Sequence, residues 1–138
     1  MQFFATALFA AAVVSADAVF QVTNFAAACV PHSVECKYSF NVMQMNAGET
    51  VANICSASAV SSNTLPAITD GKCNNSYRTF TVTRDHTAGL TLAVTQMVSP
   101  ASNQVATHLI PLSQITTTND KVANVESYNG PTSFTLSD

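Results

Sequence analysis

Four cysteines, three histidines and eight acidic residues are the side chains of this chain that could react, ligate or cross-link. The cysteines are Cys29, Cys36, Cys55 and Cys73, and no two stand at C-x-x-C spacing. His32 falls between the first two, so zinc ligation competes with disulfide formation for these thiols. Without the paired spacing, and in a chain that reads as exported, disulfides are the expected outcome. Four cysteines allow three pairings. Local topology favours Cys29–Cys36, tying the base of a hairpin through Pro31 and Ser33, together with Cys55–Cys73. In the chain-entropy model the two loops are worth roughly 2.5 and 3 kcal/mol.

Hydrolytic constellations are sparse. Asp85-His86 invites a carboxylate–imidazole dyad, yet neighbours at a strand end point apart, and 84–89 reads as a polar loop. His32 lies in an expected loop and His108 inside an apolar strand, where a structural histidine is the default. His32-Ser33-Val34-Glu35 sits at a loop-to-strand junction rather than on one helix face. There is no G-x-S-x-G elbow, H-E-x-x-H helix or glycine-rich phosphate loop. Glu35, Glu49, Asp70, Asp85, Asp120 and Glu126 mostly fall in or beside expected turns, where carboxylates are ordinarily solvated. Two of them converging in space would make a glycosidase pair. No catalytic residue, cofactor or metal is expected.

Tyr77 and Tyr128, near turns, are the candidates for exposed aromatic platforms, whereas Tyr38 and Phe40 read as core. Asn74-Asn75-Ser76 is a glycosylation sequon beside Cys73, so Asn74 is a candidate modification site on an exposed loop.

The elements that must carry these residues follow from periodicity. Residues 3–14 are apolar except for Thr6, and Ser15, Ala16 and Ala18 follow, with Asp17 the first acid. This is a signal-peptide core with a small-residue junction, and residues 1–18 are read as a leader. Two cuts fit, one after Ala16 and one after Ala18. The run is too short to cross a bilayer, which takes about 20 residues. Removing 18 residues from 138 leaves 120, enough for one domain with its own core, 19–138.

Beyond the leader a period of two dominates. Over Glu35–Gln44, Cys36, Tyr38, Phe40 and Val42 alternate with Glu35, Lys37, Ser39 and Asn41. Arg78–Arg84 repeats the pattern with threonines on the solvent side, and Leu90, Leu92 and Val94 alternate with Thr91, Ala93 and Thr95. Gln104–Leu112 is apolar on both faces and expected to be central; turn residues 99–103 make a hairpin of these last two segments. Weaker strands are expected at Val19–Phe25, Thr50–Ile54, Val122–Tyr128 and Ser133–Leu136, with turns at Asn46-Ala47-Gly48, Asp70-Gly71 and Asn129-Gly130-Pro131. Ala52–Val60 could hold a helical turn. Seven or eight short strands predict an all-β domain, an antiparallel sandwich or partly closed barrel. Charged residues are only 9% of the chain, and the five basic ones are scattered over a net charge of −3. No basic patch exists to displace counterions, so nucleic acid is not an expected partner.

Phe20-Gln21-Val22-Thr23-Asn24-Phe25, followed by Cys29-Val30-Pro31-His32-Ser33-Val34-Glu35-Cys36-Lys37-Tyr38-Ser39-Phe40-Asn41-Val42, resembles the small fungal secreted proteins related to the Alternaria major allergen. The likeness is strongest to the plant-cell-death elicitors among them. It is best over Val19–Met45, and the downstream cysteines and strand pattern are compatible with it. The resemblance implies an antiparallel β-barrel or sandwich without established catalysis, released by a plant-associated fungus. It implies recognition by plant tissue, answered by defence responses and hypersensitive cell death. A host surface or defence protein, such as a thaumatin-like pathogenesis-related protein, is the partner it implies. The family's best-known allergen is a covalent dimer through an extra cysteine. Here two internal bridges would absorb all four thiols, leaving a monomer or a non-covalent dimer. The rival expectation is a secreted cell-wall hydrolase or carbohydrate-binding protein.

Overall fold

A computed structural model describes residues 17–75, 77–119 and 124–138; the leader expectation therefore lies outside the described residues up to position 16. Ten strands follow one another: β1 (Ala18–Cys29), β2 (Glu35–Gln44), β3 (Asn53–Val60), β4 (Ile68–Cys73), β5 (Arg78–Asp85), β6 (Gly89–Ser99), β7 (Ser102–Pro111), β8 (Ile115–Asn119), β9 (Asn124–Tyr128) and β10 (Phe134–Ser137). Strands β1 to β7 form an antiparallel meander, and β10 pairs with both β7 and β1. Eight strands thereby close into a barrel. The β8–β9 hairpin hangs from the far half of β1, where Ala28 pairs with Ser127. Of the two expected architectures the barrel is the one adopted, and it is closed rather than partly closed.

Alternation explains the wall. On β2 every second residue from Cys36 to Val42 is buried, and Phe80, Val82, Leu90, Leu92, Val94, Ala106 and Ile110 continue the inner surface. An eight-stranded barrel is just wide enough for side chains to fill. Phe20, Tyr38, Phe40, Phe80, Leu92 and Leu136 do so here, with Phe40 and Phe80 edge to face at 4.9 Å. The lumen is a core.

Four expectations give way. Ala52–Val60 holds no helical turn, because β3 pairs with β2 at eight consecutive positions and that pairing outweighs local preference. The strand expected at Thr50–Ile54 accordingly begins only at Asn53. Asp70-Gly71 is no turn but lies inside β4, where Gly71 passes beneath the Phe80 ring; a Cβ there would stand 2.6 Å from it. Finally, β7 is not buried on both faces: Val105 and Leu109 point outward and are 47% and 51% exposed.

Two seams are thin. β7 and β10 share one registered pair, Thr107 with Ser137, and β3 and β4 share two, Cys55 with Cys73 and Ser56 with Lys72.

Candidate recognition surface

Both expected disulfides form, Cys29–Cys36 at the turn end of the β1–β2 hairpin and Cys55–Cys73 across the thin β3–β4 seam. No thiol remains free.

The outer face of β1, β2 and β3 carries two neighbouring depressions. Asn24, at φ 53°, makes a bulge that shifts the β1–β2 register between Thr23 and Ala26. Beyond it, Ala26 lies opposite Ser39 and Ala28 opposite Lys37, and these oppose Ser56 and Ser58 on β3. All six side chains are exposed. Small residues between larger neighbours leave two shallow depressions. One, of about 420 Å³, lies against Phe25, Tyr128 and Thr132. The other, of about 450 Å³, lies against Glu35, Ser56 and Ser58. Lys37 and Ser39 belong to both. Lys37 makes no ion pair among the described residues. The face therefore offers one ammonium and three serine hydroxyls over an alanine floor, suited to hydrogen-bonding a complementary surface.

The carboxylates that sequence placed in solvated turns divide differently. At one end of the barrel the buried guanidinium of Arg78 pairs with Glu49 and donates to Asn53 Oδ1 and to Gln96 Oε1, the latter from Nε at 2.9 Å. The backbone N–H of Gln44 also donates to Glu49, at 2.9 Å, and Phe20 lies under the guanidinium. The Arg78 hydrogen bonds hold the Glu49 carboxyl below its usual range, against a smaller opposing effect of burial. At the other end Arg84 forms a two-toothed pair with Glu126, Nη1 at 2.7 Å and Nη2 at 3.1 Å. Glu126 also accepts the Leu65 N–H, pinning the 61–67 loop over the barrel mouth, and its pKa is likewise lowered chiefly by Arg84. Beside them Tyr38, its hydroxyl donating to Pro66 O at 2.7 Å, has its pKa raised by burial. These two carboxylates are engaged by arginines and not by each other. Alternation carried the signal: Arg78 and Arg84 share the parity of Phe80 and Val82 and so face inward.

The histidines are dispersed. His32 is exposed in the β1–β2 turn at φ 63°, and His86 is exposed in the β5–β6 turn. Asp85 does not orient His86. Its Oδ1 accepts from Thr87 N–H, Thr87 Oγ1–H and Ala88 N–H, which caps its own turn and lowers its pKa. His108 is half-buried and stacked on Phe134 at 4.0 Å, and burial lowers its pKa. Among the described residues no three His, Cys, Asp or Glu side chains converge as metal ligands. Tyr77 is exposed as expected. Tyr128 is not: its ring packs edge-on to Phe25 at 4.8 Å and its hydroxyl donates to Pro131 O. Asn74 is exposed, Ser76 of its sequon lies outside the described residues, and so does Asp120.

Among the described residues no helix is long and apolar enough to cross a membrane. No family model and no curated protein matches this chain.

Proposed function

We propose that this chain is a secreted fungal effector of the Alternaria-allergen-like kind, which elicits plant defence and hypersensitive cell death without catalysis, through its folded surface. The observation that carries the reading is the filled lumen: with Phe20, Phe40, Phe80 and Leu92 occupying the centre, recognition falls to the outside of the barrel. The residues that carry the family resemblance, Val19–Met45, span β1 and β2, and these strands supply Ala26, Ala28, Lys37 and Ser39 to the outer face. Two disulfides suit an extracellular protein. With every thiol used internally, the working form is a monomer or a non-covalent dimer meeting a host surface or defence protein, of which a thaumatin-like pathogenesis-related protein is one candidate.

Leaf infiltration with purified native protein tests this. A defence response is expected, and Lys37→Glu combined with Ser39→Arg removes it without lowering Tm, since both side chains are exposed. Native protein that stays silent across several hosts defeats the proposal. Activity that survives reduction and boiling defeats the part that assigns it to the folded surface. A secreted wall hydrolase or carbohydrate-binding protein is the alternative, with Tyr77, 52% exposed, as its aromatic platform. Retention on wall polysaccharides that is lost in Tyr77→Ala favours it.

A further inference from the structure

Three exposed apolar side chains flank the β4–β5 turn: Ile54, Tyr77 and Met97, at 59%, 52% and 54% exposure. Ile54 and Asn74 exchange hydrogen bonds across the strands: Asn74 N–H donates to Ile54 O at 2.8 Å, and Ile54 N–H donates to Asn74 Oδ1 at 3.0 Å. Met97 N–H donates to Tyr77 O at 3.0 Å. Asn74 thus stands between Ile54 on one side and the Tyr77–Met97 pair on the other. It also opens the one Asn-x-Ser/Thr sequence in the chain.

We propose that Asn74 carries an N-linked glycan whose first sugars lie over Tyr77 and Met97 and shield this apolar rim from water. Transfer takes place on the extended chain before folding, and the folded geometry accommodates the product. The amide oxygen is tied to the Ile54 backbone, which fixes the side-chain plane, and the residue is exposed. Nδ2, at the opposite corner of the amide, is the atom that bonds the sugar. The donor is a lipid-pyrophosphate-linked oligosaccharide. The Nδ2–C1 bond forms as the C1–O bond breaks, the lipid pyrophosphate leaves with the electron pair, and the amide proton passes to a base of the transferase. The apolar face of a pyranose stacks on an aromatic ring, and Tyr77 supplies that ring in the same turn. Exposed apolar side chains grouped about one turn invite association, and the glycan removes that liability. This inference rests on the reading of the chain as exported.

The full chain, with its own leader, is expressed in a secretory eukaryotic host and its intact mass taken before and after enzymatic deglycosylation. A sugar mass that disappears on deglycosylation, and is missing from Asn74→Gln, is expected. Peroxide oxidation followed by peptide mapping reads the shielding. Met97 oxidises several-fold more slowly in the glycosylated protein, while half-buried Met43 and Met45 serve as internal references. Secreted protein with a cleaved leader and no sugar overturns the inference while leaving export intact. Protein that keeps Met1 and free thiols overturns both. Sugar that persists in Asn74→Gln overturns the site. Equal Met97 rates overturn the shielding.

Discussion

Arg78 is the side chain around which one end of the barrel is organised. Buried among strands, it takes Glu49, Asn53 and Gln96 as partners from three different segments. Removing one member of a buried pair strands the other, at about 3–5 kcal/mol. Glu49 is 29% exposed and can recover some hydration, so Arg78→Met is expected near the lower end, read by urea unfolding. The ionisable groups also set a pH profile. Glu49 and Glu126 have folded pKa values below the ordinary 4.5, so the stability they contribute is present above that value and is lost as pH falls through the folded values. His108 acts in the same direction at higher pH. Its folded pKa lies below 6.5, so the unfolded chain binds a proton first and stability declines once pH drops past that point. Tm measured from pH 8 to 3 should fall in two stages. His108→Gln removes the upper stage. Glu126→Gln lowers Tm at neutral pH, and the deficit narrows as pH falls, flattening the lower stage. An unchanged profile in both variants defeats this assignment.

Strands differ in how firmly they are held to their neighbours. β2 shares eight registered pairs with β1 and eight with β3, whereas β3 and β4 share two. One of those two is the Cys55–Cys73 bridge itself, so this crosslink sits where the ladder is weakest. Cys55→Ser with Cys73→Ser is expected to cost about 3 kcal/mol, with amide exchange accelerated selectively in β3 and β4. Cys29→Ser with Cys36→Ser costs about 2.5 kcal/mol, and leaves β1–β2 protection largely intact because the ladder holds without it. Gly71 belongs to the same region. Gly71→Ala pushes a methyl group into the Phe80 ring, and such overpacking costs about 1–3 kcal/mol. Reading Asp70-Gly71 as a turn followed the local chemistry of those residues. That chemistry could not reveal a ring from β5 lying against the glycine.

At the scale of the whole molecule, closure of the barrel decides what the protein can be, and the proposed export is tested by mass. Intact-mass analysis of protein from culture fluid should show a start at Asp17 or Val19 and a mass four hydrogens below that of the reduced chain, since both bridges form. Retained Met1 or titratable thiols defeat that prediction. Much of this architecture was legible in the residues. Alternation in β2, β5 and β6 is local, because successive side chains on a strand face opposite ways whatever the strand pairs with. The same alternation set the inward parity of Arg78 and Arg84, and local topology favoured, among three possible pairings, the disulfide pairing that forms. What sequence could not supply was distance between segments. β10 closing on β7 and β1, Glu49 and Glu126 meeting their arginines, Tyr128 turning onto Phe25, and Asn74 coming to lie beside Ile54 all join residues whose approach only the closed sheet brings about. One chain therefore specifies which way each side chain faces, and the folding of many strands into a single ring specifies what it meets there.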